Sequence, residues 1–179
     1  AKDLLDSVLK NQFLINQINA ATNIIVDSFK KGGKLLCCGN GGSFCDAMHL
    51  AEELTGKFRQ DREPLAAMAI SDGAHMSCVA NDYGYEHAKK DDVLLSISTS
   101  GKSHNILRAL EVAKELNVKT ISLTGISPNP SSSLADIEIA VVPPGKHYFS
   151  DRIQEMHIKI IHILIYLIEQ KMFNLAKEC

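Results

Sequence analysis

The sequence lacks the features that mark membrane, secreted and nucleic-acid-binding proteins. Its 179 residues contain no apolar run of the roughly 18 residues that a membrane span requires, because histidines and a lysine interrupt MHIKIIHILIYLIEQ. Acidic and basic side chains nearly balance to a formal net charge of −2, so no strongly basic surface is expected for nucleic acid or an anionic membrane. The N-terminal AKDLLDSVLKNQF lacks the apolar core and cleavage site of a signal peptide. We therefore expect a soluble protein without membrane or nucleic-acid partners.

Cysteine usage lacks the pattern of a disulfide framework. The cysteines are odd in number and include no CxxC pair; they are Cys37, Cys38, Cys45, Cys78 and Cys179. Such a set suits a reducing compartment, so the cytoplasm is the expected location.

The length and the apolar pattern predict one α/β domain over residues 1–179, since no repeat or linker argues for two. Apolar residues recur at helical spacing from Leu4 to Phe29, which predicts one long helix or two joined ones within an N-terminal helical segment, 1–32. Five short apolar runs predict the strands of a core at 34–143, namely 34–39, 65–71, 92–98, 119–125 and 137–143. Helical segments at 43–56, 73–80 and 103–117 separate the first four strands, and a last long helix is expected at 150–175.

This alternation predicts a parallel sheet with right-handed crossovers and helices on both faces, a three-layer sandwich. The strands are apolar almost throughout, which indicates burial on both faces. The Pro- and Ser-rich SPNPSSS at 127–133 is too short for a domain linker and is interpreted as a surface loop.

Two loops of this sheet have the composition of an anion site. Loop A (39–43, GNGGS) has glycines that permit close backbone approach ahead of a helix, although it lacks the spacing of the dinucleotide fingerprint and could be a plain strand-to-helix corner. Loop B (98–103, STSGKS) offers four hydroxyls at a helix N-terminus and lacks the Walker A spacing. Loop B therefore favours a phosphomonoester, with a Ser-rich turn as the alternative.

Candidate acid and base groups lie on two helices. His49 and Glu53 are four residues apart and share a helix face, but spacing alone does not choose between Glu53 and Glu52. On the last helix, about 100° per residue places Asp151, Gln154, Ile158 and His162 in one stripe, with His157 turned away. Two imidazoles with a carboxylate can bind zinc or exchange protons near neutral pH. The alternatives are a hydrogen-bonded core histidine and a solvated glutamate.

Long motifs in this order resemble the phosphoheptose isomerases, bacterial enzymes of the sugar isomerase (SIS) fold. They are CGNGGS-x-CDAMH-x-AEELTG, ND-x-G, ISTSGKS and DRIQEMHIK-x-IHIL, and the likeness covers nearly the whole chain. The resemblance implies a single SIS domain with a flavodoxin-like sandwich. It also implies conversion of sedoheptulose 7-phosphate to D-glycero-D-manno-heptose 7-phosphate through an enediol, the first step toward the heptose of lipopolysaccharide.

The resemblance also implies roles for individual residues. Glu53 and His162 are the expected catalytic acid and base, in an order left open. One zinc ion per subunit is expected on His49, Glu53, Gln154 and His162. Family members are homotetramers of the bacterial cytoplasm with active sites between subunits. The residues expected to contact the sugar phosphate are Asn40, Gly41, Gly42, Ser43, Glu53, Asn81, Asp82, Ser98, Thr99, Ser100, Ser103, Asp151 and Gln154.

The chain departs from the family pattern between NDYGYE and DDVLL, where residues 87–90 replace a longer connection that forms part of a helix. Either the protein is shortened here or the sequence omits a segment. Since a parallel crossover needs about a dozen residues or more, usually with a helix, we expect the second.

Two other functions compete with the isomerase. A SIS-fold protein could bind a sugar phosphate or a replication initiator without catalysis; Glu53 and His162 argue against this, because the resemblance implies that such relatives lack both. Another SIS enzyme could act on an amino-sugar phosphate. Loop B suits either substrate, whereas His49, Glu53, Gln154 and His162 together favour the heptose enzyme.

Overall fold

The structure is a computed structural model that describes residues 2–70, 74, 78, 81–82, 88–145 and 149–174. It begins with two helices, α1 (Lys2–Lys10) and α2 (Gln12–Lys30). They join at Asn11, whose side chain accepts a hydrogen bond from the Leu14 N–H at 3.1 Å and so caps α2. Of the two forms expected for the N-terminal segment, the joined pair is therefore the one observed.

A five-stranded parallel sheet follows, in the order β2-β1-β3-β4-β5. The elements after α2 are β1 (Leu35–Gly39), α3 (Gly42–Thr55), β2 (Ala67–Ala69), β3 (Val93–Ser98), α4 (His104–Glu115), β4 (Lys119–Thr124), α5 (Pro130–Leu134), β5 (Ile137–Ala140) and α6 (Ser150–Phe173). This strand order is the flavodoxin-like one. The predicted α/β fold class is confirmed.

The helices form two layers, one on each face of the sheet. Alternate strand residues such as Leu35 and Cys37 join α1, α2, α3 and α6 in the larger apolar cluster. Strand residues that point to the opposite face, such as Leu36 and Leu94, pack against α4 in the smaller cluster. This period of two follows from the alternation of side chains along a strand, and it produces the expected three-layer sandwich.

Burial on both faces was expected for every strand, and it is correct only in the middle of the sheet. β3 is buried at each position, whereas the edge strand β2 is shorter than predicted and Met68 is 38% exposed. Ala67 and Ala69 face the larger cluster, while Met68 alternates to the opposite face. An edge strand needs only one covered face, so the prediction was wrong there.

The interpretation of 127–133 as a surface loop is wrong, because this segment contains α5. Asn129 caps the helix in a reciprocal capping box with Ser132, and Pro130 occupies the first turn, where its missing N–H costs nothing. Ser131 is fully buried and donates its hydroxyl to the Gly101 carbonyl at 3.0 Å. The segment therefore contacts loop B through this hydrogen bond to Gly101.

One prediction falls largely outside the described residues, since the helix expected at 73–80 has only positions 74 and 78 described. The shortened connection at 87–90 is described at 88–90, directly after the undescribed 83–87. Cys37, Cys38, Cys45 and Cys78 are free thiols. Within the described ranges, no helix combines the length and the apolarity that crossing a membrane requires.

Candidate active site

The two glycine- and serine-rich loops meet at the carboxyl ends of neighbouring strands. β1 leads into loop A and β3 into loop B, and Gly39 is paired with Ile97 across these strands. From β1 the chain continues to β2 on one side and later returns to β3 on the other. Open α/β sheets bind ligands at such a switch point, where helix N-termini face the crevice.

Loop A requires its glycines for space. A Cβ at Gly39 would lie 2.3 Å from the Ser43 carbonyl oxygen, and one at Gly42 would lie 2.5 Å from the Gln154 amide nitrogen. Gly41, with φ at +54°, is the N-cap of α3 and provides no side-chain cap. The first turn of α3 also contains no acidic residue, so its positive end is open to an anion.

Loop B presents hydroxyls that bind mainly to one another and to the loop backbone. The hydroxyls of Ser98 and Ser103 lie 3.3 Å apart, and Ser100 Oγ accepts from the Lys102 N–H at 3.2 Å. Ser103 is the N-cap of α4, yet its side chain makes no cap hydrogen bond. The hydroxyls are therefore available to donate to phosphate oxygens.

A reciprocal amide pair connects the two loops. Asn40 of loop A and Asn105 at the start of α4 each donate a side-chain hydrogen bond to the other, both at 2.9 Å. Asn105 was not among the predicted site residues. The N-termini of α3 and α4 are thereby held to one crevice.

An acid–base cluster of His49, Glu53 and His162 lies where α3 contacts α6. The Nε2 atoms of the histidines are 2.9 Å apart, although the residues are separated by 113 positions. Glu53 Oε1 is 3.7 Å from His49 Nε2, and one ligand atom from each residue lies within 4.8 Å of the others. Helical spacing alone does not choose between the glutamates, and the resemblance implies Glu53; the structure puts Glu53 in this cluster.

Glu52 contacts the other side of the same imidazole. Its Oε1 is 3.1 Å from His49 Nδ1, and its side chain is 67% exposed, compared with 20% for Glu53. An Nδ1–H that donates to Glu52 leaves the Nε2 lone pair of His49 directed into the cluster. A carboxylate behind a histidine is the usual arrangement when the histidine binds a metal.

The donor set of the cluster fits zinc. Two imidazole nitrogens and one carboxylate oxygen are ligands of the kind found in catalytic zinc sites, which leave a further position open for water or substrate. Gln154, the fourth residue predicted to bind zinc, has its amide against Gly42 at the start of α3. Three of the four predicted ligands are thus brought together, and Gln154 contacts loop A.

The pKa of His162 is lowered from its ordinary value. Burial is the largest cause, the nearby imidazole of His49 adds to it, and the Glu53 carboxylate opposes it. His162 is therefore favoured as a neutral imidazole near pH 7, in which form it can accept a proton.

Asp46 is not among the site residues that the sequence predicts. Among the described residues its Oδ2 is buried without a hydrogen-bond partner, and burial raises the pKa of its carboxyl while His49 opposes the rise. Asp46 lies three residues before His49 and four after Gly42, so helical periodicity alone could have placed all three on one face. A buried acceptor without a partner is suited to a ligand hydroxyl.

Other residues predicted for the site lie outside the cluster of His49, Glu53 and His162. Ser43 is buried in the first turn of α3. Asp151 is 64% exposed and lies 3.5 Å from the guanidinium of Arg152. Asn81 and Asp82 are exposed and bond to each other at 2.8 Å, between stretches that the structure does not describe.

Known proteins are similar to this chain in both sequence and fold. Residues 1–125 match the SIS domain family. The chain is 52% identical over 181 residues to the phosphoheptose isomerase of Vibrio cholerae, an alignment that covers 96% of this chain and 93% of that protein. It is 53% identical over 187 residues to that of Histophilus somni, with 99% and 92% covered. A solved phosphoheptose isomerase from Francisella tularensis has a TM-score of 0.79 at 35% identity and covers 94% of this chain and 93% of its own.

Proposed function

The chain belongs to the phosphoheptose isomerase family of SIS-domain proteins, and from that premise we propose that it converts sedoheptulose 7-phosphate to D-glycero-D-manno-heptose 7-phosphate. It is an enzyme of the isomerase class. The observation that carries the proposal is the His49, Glu53 and His162 cluster beside the crevice of loops A and B. Such a crevice can hold a phosphate while the cluster exchanges protons.

Ketose–aldose isomerisation moves a proton between adjacent carbons through an enediol. One group must remove a proton from carbon, and another must protonate or stabilise the developing oxygen anion. Glu53 and His162 have the two required functional groups, and both are partly shielded from water. Either of them could take the first proton.

Zinc is the cofactor that we propose for this site, one ion per subunit, held by His49, Glu53 and His162 with Gln154 as the fourth ligand. When bound, such an ion polarises a carbonyl and stabilises negative charge on an enediolate oxygen. The support is the donor set and the carboxylate of Glu52 behind His49.

Loops A and B are proposed to hold the phosphate end of the sugar. His49 lies two turns along α3 from Gly42, a rise of about 10 Å. That spacing suits an extended sugar phosphate whose reacting carbons lie far from its phosphate. Binding at the loops would then orient the reacting carbons without taking part in the chemistry.

A homotetramer with active sites between subunits is part of the proposal. The support is an apolar groove between α1 and α6 that is lined by Leu5, Met156 and His162. Leu9, which lines this groove, is 64% exposed, and Phe13 at the start of α2 is 71% exposed. Large exposed apolar side chains of this kind mark interaction surfaces. Light scattering of the purified protein measures the assembly, and a monomeric mass contradicts it.

The bacterial cytoplasm and the early steps of lipopolysaccharide heptose synthesis are the setting that we propose. The support is the bacterial origin of the relatives and the free thiols.

The test is conversion of sedoheptulose 7-phosphate followed by NMR, before and after chelation and with zinc added back. Conversion that falls with chelator and returns with zinc supports both the isomerase and the metal site. Conversion that is indifferent to chelator leaves Glu53 and His162 as an acid–base pair without a metal.

A parallel assay with amino-sugar phosphates separates the two enzymatic hypotheses. Turnover of an amino-sugar phosphate without turnover of sedoheptulose 7-phosphate overturns the proposed substrate. Binding of sedoheptulose 7-phosphate without turnover, with or without zinc, favours the non-catalytic sugar-phosphate-binding alternative.

A further inference from the structure

A buried ion pair joins the two helices that carry the acid–base cluster. Arg62, in the segment between α3 and β2, donates from Nε to Glu169 Oε1 of α6 at 2.7 Å. Their side chains are only 1% and 2% exposed. Removing both charges from water is costly, so a buried pair needs further hydrogen bonds to satisfy it.

Those further bonds go to the carboxyl end of α3. Arg62 donates from Nη2 to the Glu53 carbonyl at 2.7 Å, and from Nη1 to the carbonyls of Leu54 at 2.8 Å and Gly56 at 2.7 Å. The carbonyls of the last turn of a helix lack partners within the helix. A guanidinium also suits the negative end of the helix dipole. Arg62 therefore fixes the backbone of the turn that carries Glu53.

Glu169 lies seven residues beyond His162, two turns further along α6 on the same helix face. The rise between them is about 10 Å. The contact of Arg62 with Glu169 thus binds the face of α6 that carries His162 to the turn of α3 that carries Glu53.

We propose that Arg62 and Glu169 are positioning residues for the isomerisation, a buried clamp that sets the separation of Glu53 and His162. The inference rests on the proposed function of this cluster. Neither residue contacts the reacting atoms; both act through the backbones of α3 and α6. The fork of the guanidinium is essential, because one planar group must bond a carboxylate and helix carbonyls at once.

The test compares three variants with the full-length wild type. Arg62→Lys keeps the charge and loses the fork, and Glu169→Gln keeps a hydrogen-bond acceptor and loses the charge. The double variant Arg62→Met with Glu169→Met replaces the pair by apolar side chains, a change that often leaves stability unharmed. Arg108→Lys, at an exposed guanidinium on α4 that pairs with Glu111, is the matched control.

We expect Arg62→Lys and the double variant to lower kcat by about 10- to 100-fold, because misplacement by about 1 Å is enough for such a loss. KM should stay within about twofold, because loops A and B are untouched. Arg108→Lys should match the wild type. A double variant with a wild-type melting temperature and a low kcat separates positioning from stability, whereas wild-type kcat in that variant overturns the proposal.

A crystal structure of Arg62→Lys gives a readout that does not depend on activity. The carboxylate of Glu53 and the imidazole of His162, whose ligand atoms lie within 4.8 Å of each other in the wild type, should move apart. An unchanged separation overturns the clamp, even if the double variant fails to fold. Absence of any turnover by the wild type contradicts the proposed function instead, and the crystal structure then decides on the clamp alone.

Discussion

The acid–base cluster and the two loops of the crevice are assembled over different distances along the chain. His49 and His162 come from two helices, 113 residues apart, and meet only because α3 packs against α6. Loop B, in contrast, also contains short-range hydrogen bonds, such as the one between the Ser98 and Ser103 hydroxyls five positions apart, beside the bond from Ser131 to the Gly101 carbonyl. The exposed Asn40 and Asn105 pair connects loop A to the helix that follows loop B.

This difference separates binding from chemistry. The loops offer small hydroxyls and backbone at helix N-termini, which are suited to holding an anion and contain no group that titrates near neutral pH. The cluster has two imidazoles and a carboxylate, partly shielded from water. We therefore expect changes in the cluster to act on kcat and changes in the loops to act on KM.

The largest effect is expected from the cluster itself. Glu53→Gln and His162→Ala should each lower kcat by about 10²–10⁴-fold, the usual contribution of a proton-transfer group. NMR assays of sedoheptulose 7-phosphate conversion measure the loss. Circular dichroism and light scattering should match the wild type in both variants; loss of folding or assembly would instead assign the residue a structural role.

The next effect concerns the attachment of α6 to the sheet. His157 is fully buried, and its Nε2 lies 3.1 Å from the Thr124 carbonyl at the end of β4. Burial lowers the pKa of His157 to about 4, and the hydrogen bond to Thr124 opposes the shift. The folded protein therefore resists protonation of His157 below pH 6.5, whereas the unfolded chain takes up the proton.

The contribution of neutral His157 to the free energy of unfolding should therefore be fully present above about pH 6.5. The free energy of unfolding should fall by about 3 kcal/mol as the pH drops to about 4. Urea unfolding at fixed protein concentration measures this fall. In His157→Gln, which keeps a donor for the carbonyl and cannot titrate, the fall should be shallower. Identical slopes for the two proteins would mean that other groups, such as the carboxylates, cause the acid sensitivity.

A smaller effect is expected in loop B. Ser103→Ala removes a hydroxyl that makes no cap bond to α4, so folding should be little changed. If the hydroxyl donates to the substrate phosphate, its loss should raise KM by about tenfold or more, since hydrogen bonds to charged groups contribute about 1.5–3 kcal/mol. Initial rates should show kcat within about twofold of the wild type.

The control for loop B is Ser133→Ala, at an exposed serine of α5 outside the loop. It should leave both KM and kcat unchanged. A lower kcat with an unchanged KM in Ser103→Ala would contradict this separation of binding from chemistry, because it would give loop B a role in the chemical step.

The smallest effect is expected at the link between the loops. Asn105→Ala removes an exposed neutral amide pair with Asn40. A hydrogen bond of this kind contributes about 0.5–1.5 kcal/mol, so KM should rise by about two- to tenfold while kcat stays unchanged. Initial-rate measurements over a range of substrate concentrations test this. A lower KM would mean that Asn105 competes with the substrate for Asn40.

Much of the fold could be predicted because its signals are local. The apolar runs of β1 and β3 and the glycines after α2 indicate where elements start and stop, and their alternation predicts a parallel sheet. The signals of α5 are also present, with Asn129 as cap and Pro130 in the first turn, but the same residue types predict a loop. The error arose because capping and turn residues are the same few types.

Local sequence signals were enough to predict the element order and the fold class, and long motifs were enough to show the family resemblance that implies the reaction. Only the folded structure shows how close the side chains of Glu53 and His162 lie, that Asp46 Oδ2 is buried without a partner among the described residues, and that Arg62 contacts Glu169. Periodicity fixes which face of a helix a residue occupies, because backbone geometry repeats locally. Which two faces meet depends on packing between segments more than a hundred residues apart.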